Sequence, residues 1–176
     1  TPRLSLAEIF SDNVDLEPDN ERSSFITEVS PGISVDGTGG RFEAYIDYQM
    51  ETFFSSENSF SPNVNHQLVA DTTTELAKSL VFLDAGAQAG QAILDACETL
   101  SKDNYTDNRN RTDFYRYSIS PYATPHLGAY ADATLRYGYD KVIYRKGDAS
   151  DSTINSVEAN IVNGRRFSLL TWGGNY

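Results

Sequence analysis

The chain lacks most of what marks a catalytic or disulfide-built protein. A single cysteine, Cys97, rules out a disulfide within the chain. Asp95 and Glu98 flank it, so it has none of the basic surroundings that activate a thiol. The two histidines, His66 and His126, come with no G-x-S-x-G, no H-E-x-x-H and no Cys/His metal spacing. Bases are scarce. Fourteen Lys and Arg against 25 Asp and Glu leave a formal net charge of −11, which excludes a nucleic-acid footprint. No apolar run reaches the roughly 18 residues of a membrane-spanning helix. Apolar residues make up only 39%, little for filling a conventional core, although Tyr and Phe are plentiful. These absences argue against an enzyme and against a bound cofactor or metal.

What is present is alternation. In "RFEAYIDYQMETFF" (41–54), Phe42, Ala44, Ile46, Tyr48, Met50, Thr52 and Phe54 carry no charge. The residues between them include Arg41, Glu43, Asp47 and Glu51. Side chains alternate faces on a strand, so this is one long strand with an apolar and a polar side. The same period recurs in 25–35, 67–76, 81–89, 115–123, 129–139 and 157–161. A less clean strand is expected near 4–10, where Glu8 shares the phase of Leu4 and Leu6, and another at 167–176. Short turns fall at 36–40, 77–79, 124–128 and 163–166; long polar connections fall at 12–23, 55–64, 92–111 and 141–155.

Within the strands so bounded, from 25 to 161, one phase holds no Asp, Glu, Lys or Arg. The other holds Glu28, Arg41, Glu43, Asp47, Glu51, Asp71, Glu75, Asp84, Arg116, Asp132, Arg136, Asp140 and Glu158. Long alternating strands, short turns at one end and long loops at the other define an antiparallel up-and-down transmembrane β-barrel. Lipid offers no hydrogen bonds, so every strand must pair and every charge must face the lumen. The thirteen charged residues just named are therefore expected to line that lumen, acids well ahead of bases, in a field that favours cations. The whole chain, 1–176, reads as a single barrel domain or part of one. The competing expectation is a soluble antiparallel sheet whose apolar face packs on a core.

The connection 92–111 carries the remaining candidates. Tyr105, Arg109 and Arg111 are candidate loop contacts for a ligand or partner. Asp103 and Asp107 have oxygen-ligand spacing for Ca²⁺ but lack the closing Glu of an EF-hand, so a solvated loop is the simpler reading. "AILDACETL" could form a short amphipathic helix.

Five stretches resemble a known family: "PRLSLAEIFSDNV" (2–14), "FITEVSPGISVDGTGGRFEAYIDY" (25–48), "NHQLVADTTTEL" (65–76), "FLDAGA" (82–87) and "YSISPY" (117–122). They are similar to the outer-membrane β-barrel proteins associated with the PEP-CTERM/exosortase system of exopolysaccharide-producing bacteria. The resemblance implies an outer-membrane location and a porin-like or export-associated pore linked to exopolysaccharide traffic, in contact with lipid. It carries no catalytic residue. Members of that family are longer, and the nine strands expected here are an odd number for a closed bacterial barrel. The expectation is an N-terminal part of a larger barrel, or a barrel closed by other chains. The alternatives are a barrel whose outer loops bind polysaccharide or a partner, and a secreted β-sheet subunit that polymerises by strand addition.

Overall fold

The computed structural model describes residues 1–14, 21–56, 63–94, 111–145, 150–167 and 172–176. These form one antiparallel sheet: β1 (Pro2–Ser11), β2 (Ser24–Gly39), β3 (Phe42–Ser55), β4 (Asn63–Ala77), β5 (Val81–Ile93), β6 (Arg111–Ala123), β7 (His126–Leu127), β8 (Ala131–Tyr144), β9 (Ser152–Asn163) and β10 (Gly173–Asn175). Each strand pairs with the next in chain order, except that the two-residue β7 lies beside β8 and β8 also pairs with β6. The fold is therefore an up-and-down meander of nine strands with one short accessory strand. Its two outer strands, β1 and β10, are not paired with each other.

The alternation survives as a register. Ile46 on β3 lies opposite Val35 on β2 and Ala70 on β4, and Ala70 lies opposite Ala87 on β5. Ala87 lies opposite Tyr117 on β6. On the other side of the sheet Asp47, Ser34, Val69, Gln88 and Arg116 are linked in the same way. Paired residues in an antiparallel ladder share a face, so the period-two pattern of each strand becomes two continuous surfaces.

Large apolar side chains are exposed along one of these surfaces. Leu4, Leu6, Phe25, Ile33, Val35, Phe42, Ile46, Phe54, Ile119, Leu135 and Val157 are all on the apolar side, and all are exposed. Ile46 keeps 40% of its surface and Leu135 keeps 55%. Of the buried strand residues, Ser24, Ile26, Ser30, Phe53, Asn65 and Thr112 are on the polar side, and Ala131, at the start of β8, is on the apolar side. The one apolar cluster among the described residues joins Val14, Ile26 and Phe53, with Ile9 against it, on the polar side at the long-connection end. The soluble-sheet expectation required a core under the apolar face. No such core exists among the described residues.

Several local expectations are corrected. Residues 36–40 are not a loop: pairing continues to Gly39↔Phe42, and only Gly40 and Arg41 turn. Backbone hydrogen bonding simply runs to the end of the glycine-rich stretch. Residues 129 and 130 belong to the turn before β8 rather than to the strand. The strand expected at 167–176 shrinks to β10, because Arg165–Phe167 form a 3-10 turn. At 78–80 a turn does form, with Ser79 in the left-handed region at φ 52° and Leu80 N–H donating to the Ala77 carbonyl. The helix expected in "AILDACETL" cannot start where proposed, since Ala92 and Ile93 finish β5; its remainder from 95 lies outside the described residues.

The charge-free phase is also corrected. Lys141 sits on the apolar side opposite Tyr117 and Thr153, as do Asp113 and Arg111 on β6 and Glu8 on β1. Each lies within three residues of a strand end at a long connection. The strands run further than their apolar runs, so polar residues collect at that rim. There Glu8 accepts a hydrogen bond from Thr27 at 2.8 Å, and Arg145 pairs with Asp113 at 3.5 Å.

Candidate functional site: the polar face

On the polar side, charged groups reach across strands. Arg3 passes over β2 to bind Asp47 on β3 with two bonds of 2.6 Å, and donates a third to Gln49 at 3.2 Å. Second-neighbour strands lie about 9.6 Å apart, so the guanidinium must lie flat over whatever stands between. Gly32 stands there. A Cβ on it would come within 2.8 Å of Arg3 Nε and 3.0 Å of the Tyr48 carbonyl. Gly32→Val is expected to lift Arg3 off Asp47 and to lower the stability of the sheet. The urea midpoint of the detergent-folded protein reads this, and an unchanged midpoint would mean the crossing contributes nothing.

The same device recurs on the other half of the sheet. Arg136 on β8 passes β6 to bind Asp84 on β5 at 2.7 Å and Ser120 at 3.0 Å. Its guanidinium lies 4.0 Å from the centre of the Tyr122 ring. Tyr122 stacks on Phe82 with ring centres 5.0 Å apart. Thr73 on β4 donates to the other oxygen of Asp84 at 3.0 Å. One network thus ties β4, β5, β6 and β8 together. A third pair, Arg116–Asp140, closes at 2.6 Å, and His126 meets Asp132 at 2.7 Å. Gly86 makes room as Gly32 does: a Cβ there would meet Ser118 Oγ at 2.7 Å and Asp71 Oδ1 at 3.1 Å.

The three strand guanidiniums on the polar face, Arg3, Arg116 and Arg136, are therefore each committed to a carboxylate, and the surplus acids remain. Asp36, Glu43 and Asp71 make no ion pair among the described residues. They border a hollow of about 570 Å³ with Tyr45, Asp84 and Ser120. Register places Tyr45 between Asp36 on β2 and Asp71 on β4. The arrangement is a strip of acceptors and negative charge along strands that also carry Glu28 and Glu51. It holds no nucleophile–base pair, and among the described residues no group of three or more His, Cys, Asp and Glu could hold a metal.

Twelve of the thirteen expected lining residues lie on paired strands, on the polar phase. Arg41 does not. It forms the β2–β3 turn, where its carbonyl accepts from the Glu75 N–H at 2.8 Å. Arg111 is likewise no loop residue, because it opens β6 opposite Ile93. Tyr105, Arg109, Asp103, Asp107 and Cys97 lie outside the described residues. Sequence reading missed Arg3, because Glu8 obscured the phase of β1. It also missed the signal of the glycines: Gly32, Gly86, Gly90 and Gly138 all fall on the polar phase.

No family model, curated protein or solved structure matches this chain.

Proposed function

We propose that this chain forms the wall of an outer-membrane β-barrel whose polar face lines a cation-preferring, porin-like or export-associated conduit. The observation that carries this reading is the exposed apolar face. Large apolar side chains cover it, while the one apolar cluster among the described residues lies on the opposite, charged face. Water penalises that arrangement by about 25 cal/mol per Å² of apolar surface left exposed; hydrocarbon does not. The apolar run 81–89 on β5 spans about 27 Å along the strand at ~3.4 Å per residue. A tilt of ~40° brings it to about 21 Å, close to the ~25 Å apolar band of such barrels. Phe10, Phe25 and Phe54 gather on the apolar side at one end and Phe42 stands at the other, positions suited to the headgroup level.

The acid surplus at Asp36, Glu43 and Asp71 favours cations or uncharged solutes over polyanions. A link to exopolysaccharide traffic rests on the family resemblance of 2–122, and the acid lining narrows it to neutral or cationic polymers. Planar-bilayer recording of the detergent-purified protein is expected to show conductance with cation preference. Combining Asp36→Asn, Glu43→Gln and Asp71→Asn is expected to move the cation-to-anion permeability ratio toward unity. A preparation that never conducts would overturn the pore. A secreted subunit that polymerises by strand addition is the second reading, favoured by the unpaired sheet edges. Solubility and fibre growth without detergent would select it.

A further inference from the structure

We infer that Lys141 and the tyrosines beside it, on the apolar face of β6 and β8, hold the phosphate of a membrane lipid headgroup. The inference rests on the reading of that face as lipid-facing. Lys141 follows the apolar phase of β8, which runs through Ala131, Ala133, Leu135, Tyr137 and Tyr139. From Ala131 to Lys141 the strand covers about 34 Å at ~3.4 Å per residue. At a tilt of ~40° that is about 26 Å across the membrane, close to the ~25 Å apolar band of such barrels. The ammonium therefore reaches the headgroup level, while the partly covered side chain lays its stem along apolar neighbours.

The neighbours supply donors and no competing acid. Register puts Tyr117 on β6 directly opposite Lys141, with Tyr115 opposite Ile143. On β9 the residue opposite Lys141 is Thr153. Directly opposed Cβ atoms stand ~5 Å apart and diagonal ones ~7–8 Å. Residues two apart on one strand stand about 7 Å apart. Tyr117, Tyr115 and Tyr139 are thus all within a side chain's length of the ammonium. Tyr137 has a partner, since its hydroxyl donates to Asn155 Oδ1 at 2.7 Å. The hydroxyls of Tyr115, Tyr117 and Tyr139 make no hydrogen bond among the described residues, and Lys141 makes no ion pair there. The nearest acids are engaged. Asp140 lies on the other face with Arg116 at 2.6 Å, Asp113 pairs with Arg145 at 3.5 Å, and Asp151 accepts the Tyr144 N–H at 3.1 Å.

One cation with phenol hydroxyls around it suits a tetrahedral anion. A phosphate accepts a charge-assisted bond from the ammonium and O–H bonds from the tyrosines, and its several oxygens serve more than one donor at once. The setting selects a lipid over a free phosphate. The same face carries Ile119, Leu135 and Val157, all exposed. A ligand anchored at Lys141 by its phosphate can lay acyl chains on those side chains, and a soluble phosphate cannot. The chain's net charge of −11 repels anionic headgroups in general, so the attraction must be local to this cation.

Native mass spectrometry of the detergent-purified chain tests the site, with phosphatidic acid compared against diacylglycerol of the same acyl chains. Phosphatidic acid is expected to bind about tenfold more tightly, and Lys141→Gln to abolish that preference. Tyr117→Phe is expected to weaken phosphatidic acid about threefold. Lys141→Arg should keep the preference, and so should Lys78→Gln in the β4–β5 turn. Equal retention of the two lipids, or an equal loss in Lys78→Gln, would overturn the inference. Glycerol 3-phosphate binding as tightly as phosphatidic acid would also overturn it, because the acyl chains would then contribute nothing. Insertion into phosphatidylcholine vesicles separates the site from the reading beneath it. If the chain inserts, and wild type and Lys141→Gln retain phosphatidic acid alike, the headgroup site is refuted and the lipid-facing surface stands. A chain that inserts into no vesicle refutes both.

Discussion

An arginine placed at Ala70 should prevent stable assembly in a bilayer, while an arginine three residues away at Gln67 should be accepted. Ala70 lies near the middle of β4 on the apolar face, opposite Ile46 and Ala87. No acid stands beside it in register on that face. If that face meets hydrocarbon, the charge costs roughly 2–4 kcal/mol near the midplane, a roughly 30- to 700-fold loss in the folded equilibrium. Gln67 is on the other face, where it donates to Glu51 at 3.0 Å. An arginine there would meet a carboxylate in an acid-rich strip. Protease protection after refolding into lipid vesicles distinguishes the two variants. Equal refolding of both would sink the lipid assignment, since a surface in water tolerates arginine at either position. Equal failure would sink the division into faces.

Replacing Phe53 with alanine should be the most damaging core substitution, destabilising by about 3–5 kcal/mol. The sheet offers little other apolar burial. Ile26 is 0% exposed, and Phe53 and Val14 are each 3% exposed. The three meet on the polar side at the end of the sheet, Val14 lying just beyond β1. There the Val14 N–H donates to the Arg22 carbonyl at 2.8 Å, and nearby Ser24 and Ser55 hydroxyls meet at 2.7 Å. Phe53→Ala removes the ring on which both Val14 and Ile26 rest. The surrounding strands cannot collapse into the space, because their ladders hold them at fixed spacing. Urea unfolding in detergent measures the loss. A change below about 1 kcal/mol would mean that lateral hydrogen bonding alone supports this end of the protein.

The legibility of this fold varies with the range of the interactions. Period-two alternation is local, so strands β2 to β6, β8 and β9 could be read from residue types, and so could the polar phase that carries Asp47, Asp71, Asp84 and Arg136. Strand ends were less legible. Lys141 fell on the apolar side because β8 continues to Tyr144, past the last Tyr of the alternating run. A ladder ends where its partner ends, and no residue type announces that. The Arg3–Asp47 and Arg136–Asp84 crossings were hidden for another reason. They join residues 44 and 52 apart in the chain, and only the strand order makes them second neighbours. The glycines beneath them, Gly32 and Gly86, were visible in the sequence, but a gap has meaning only once something is seen to pass through it.

By itself, the sequence determined that this chain makes long antiparallel strands with one charged and one uncharged side, because side-chain direction alternates residue by residue and needs no partner. Tertiary structure decided which acids keep a cation. It also decided that the one apolar cluster among the described residues sits on the polar side. Those outcomes depend on register and strand order, which bring together residues that the chain itself keeps far apart.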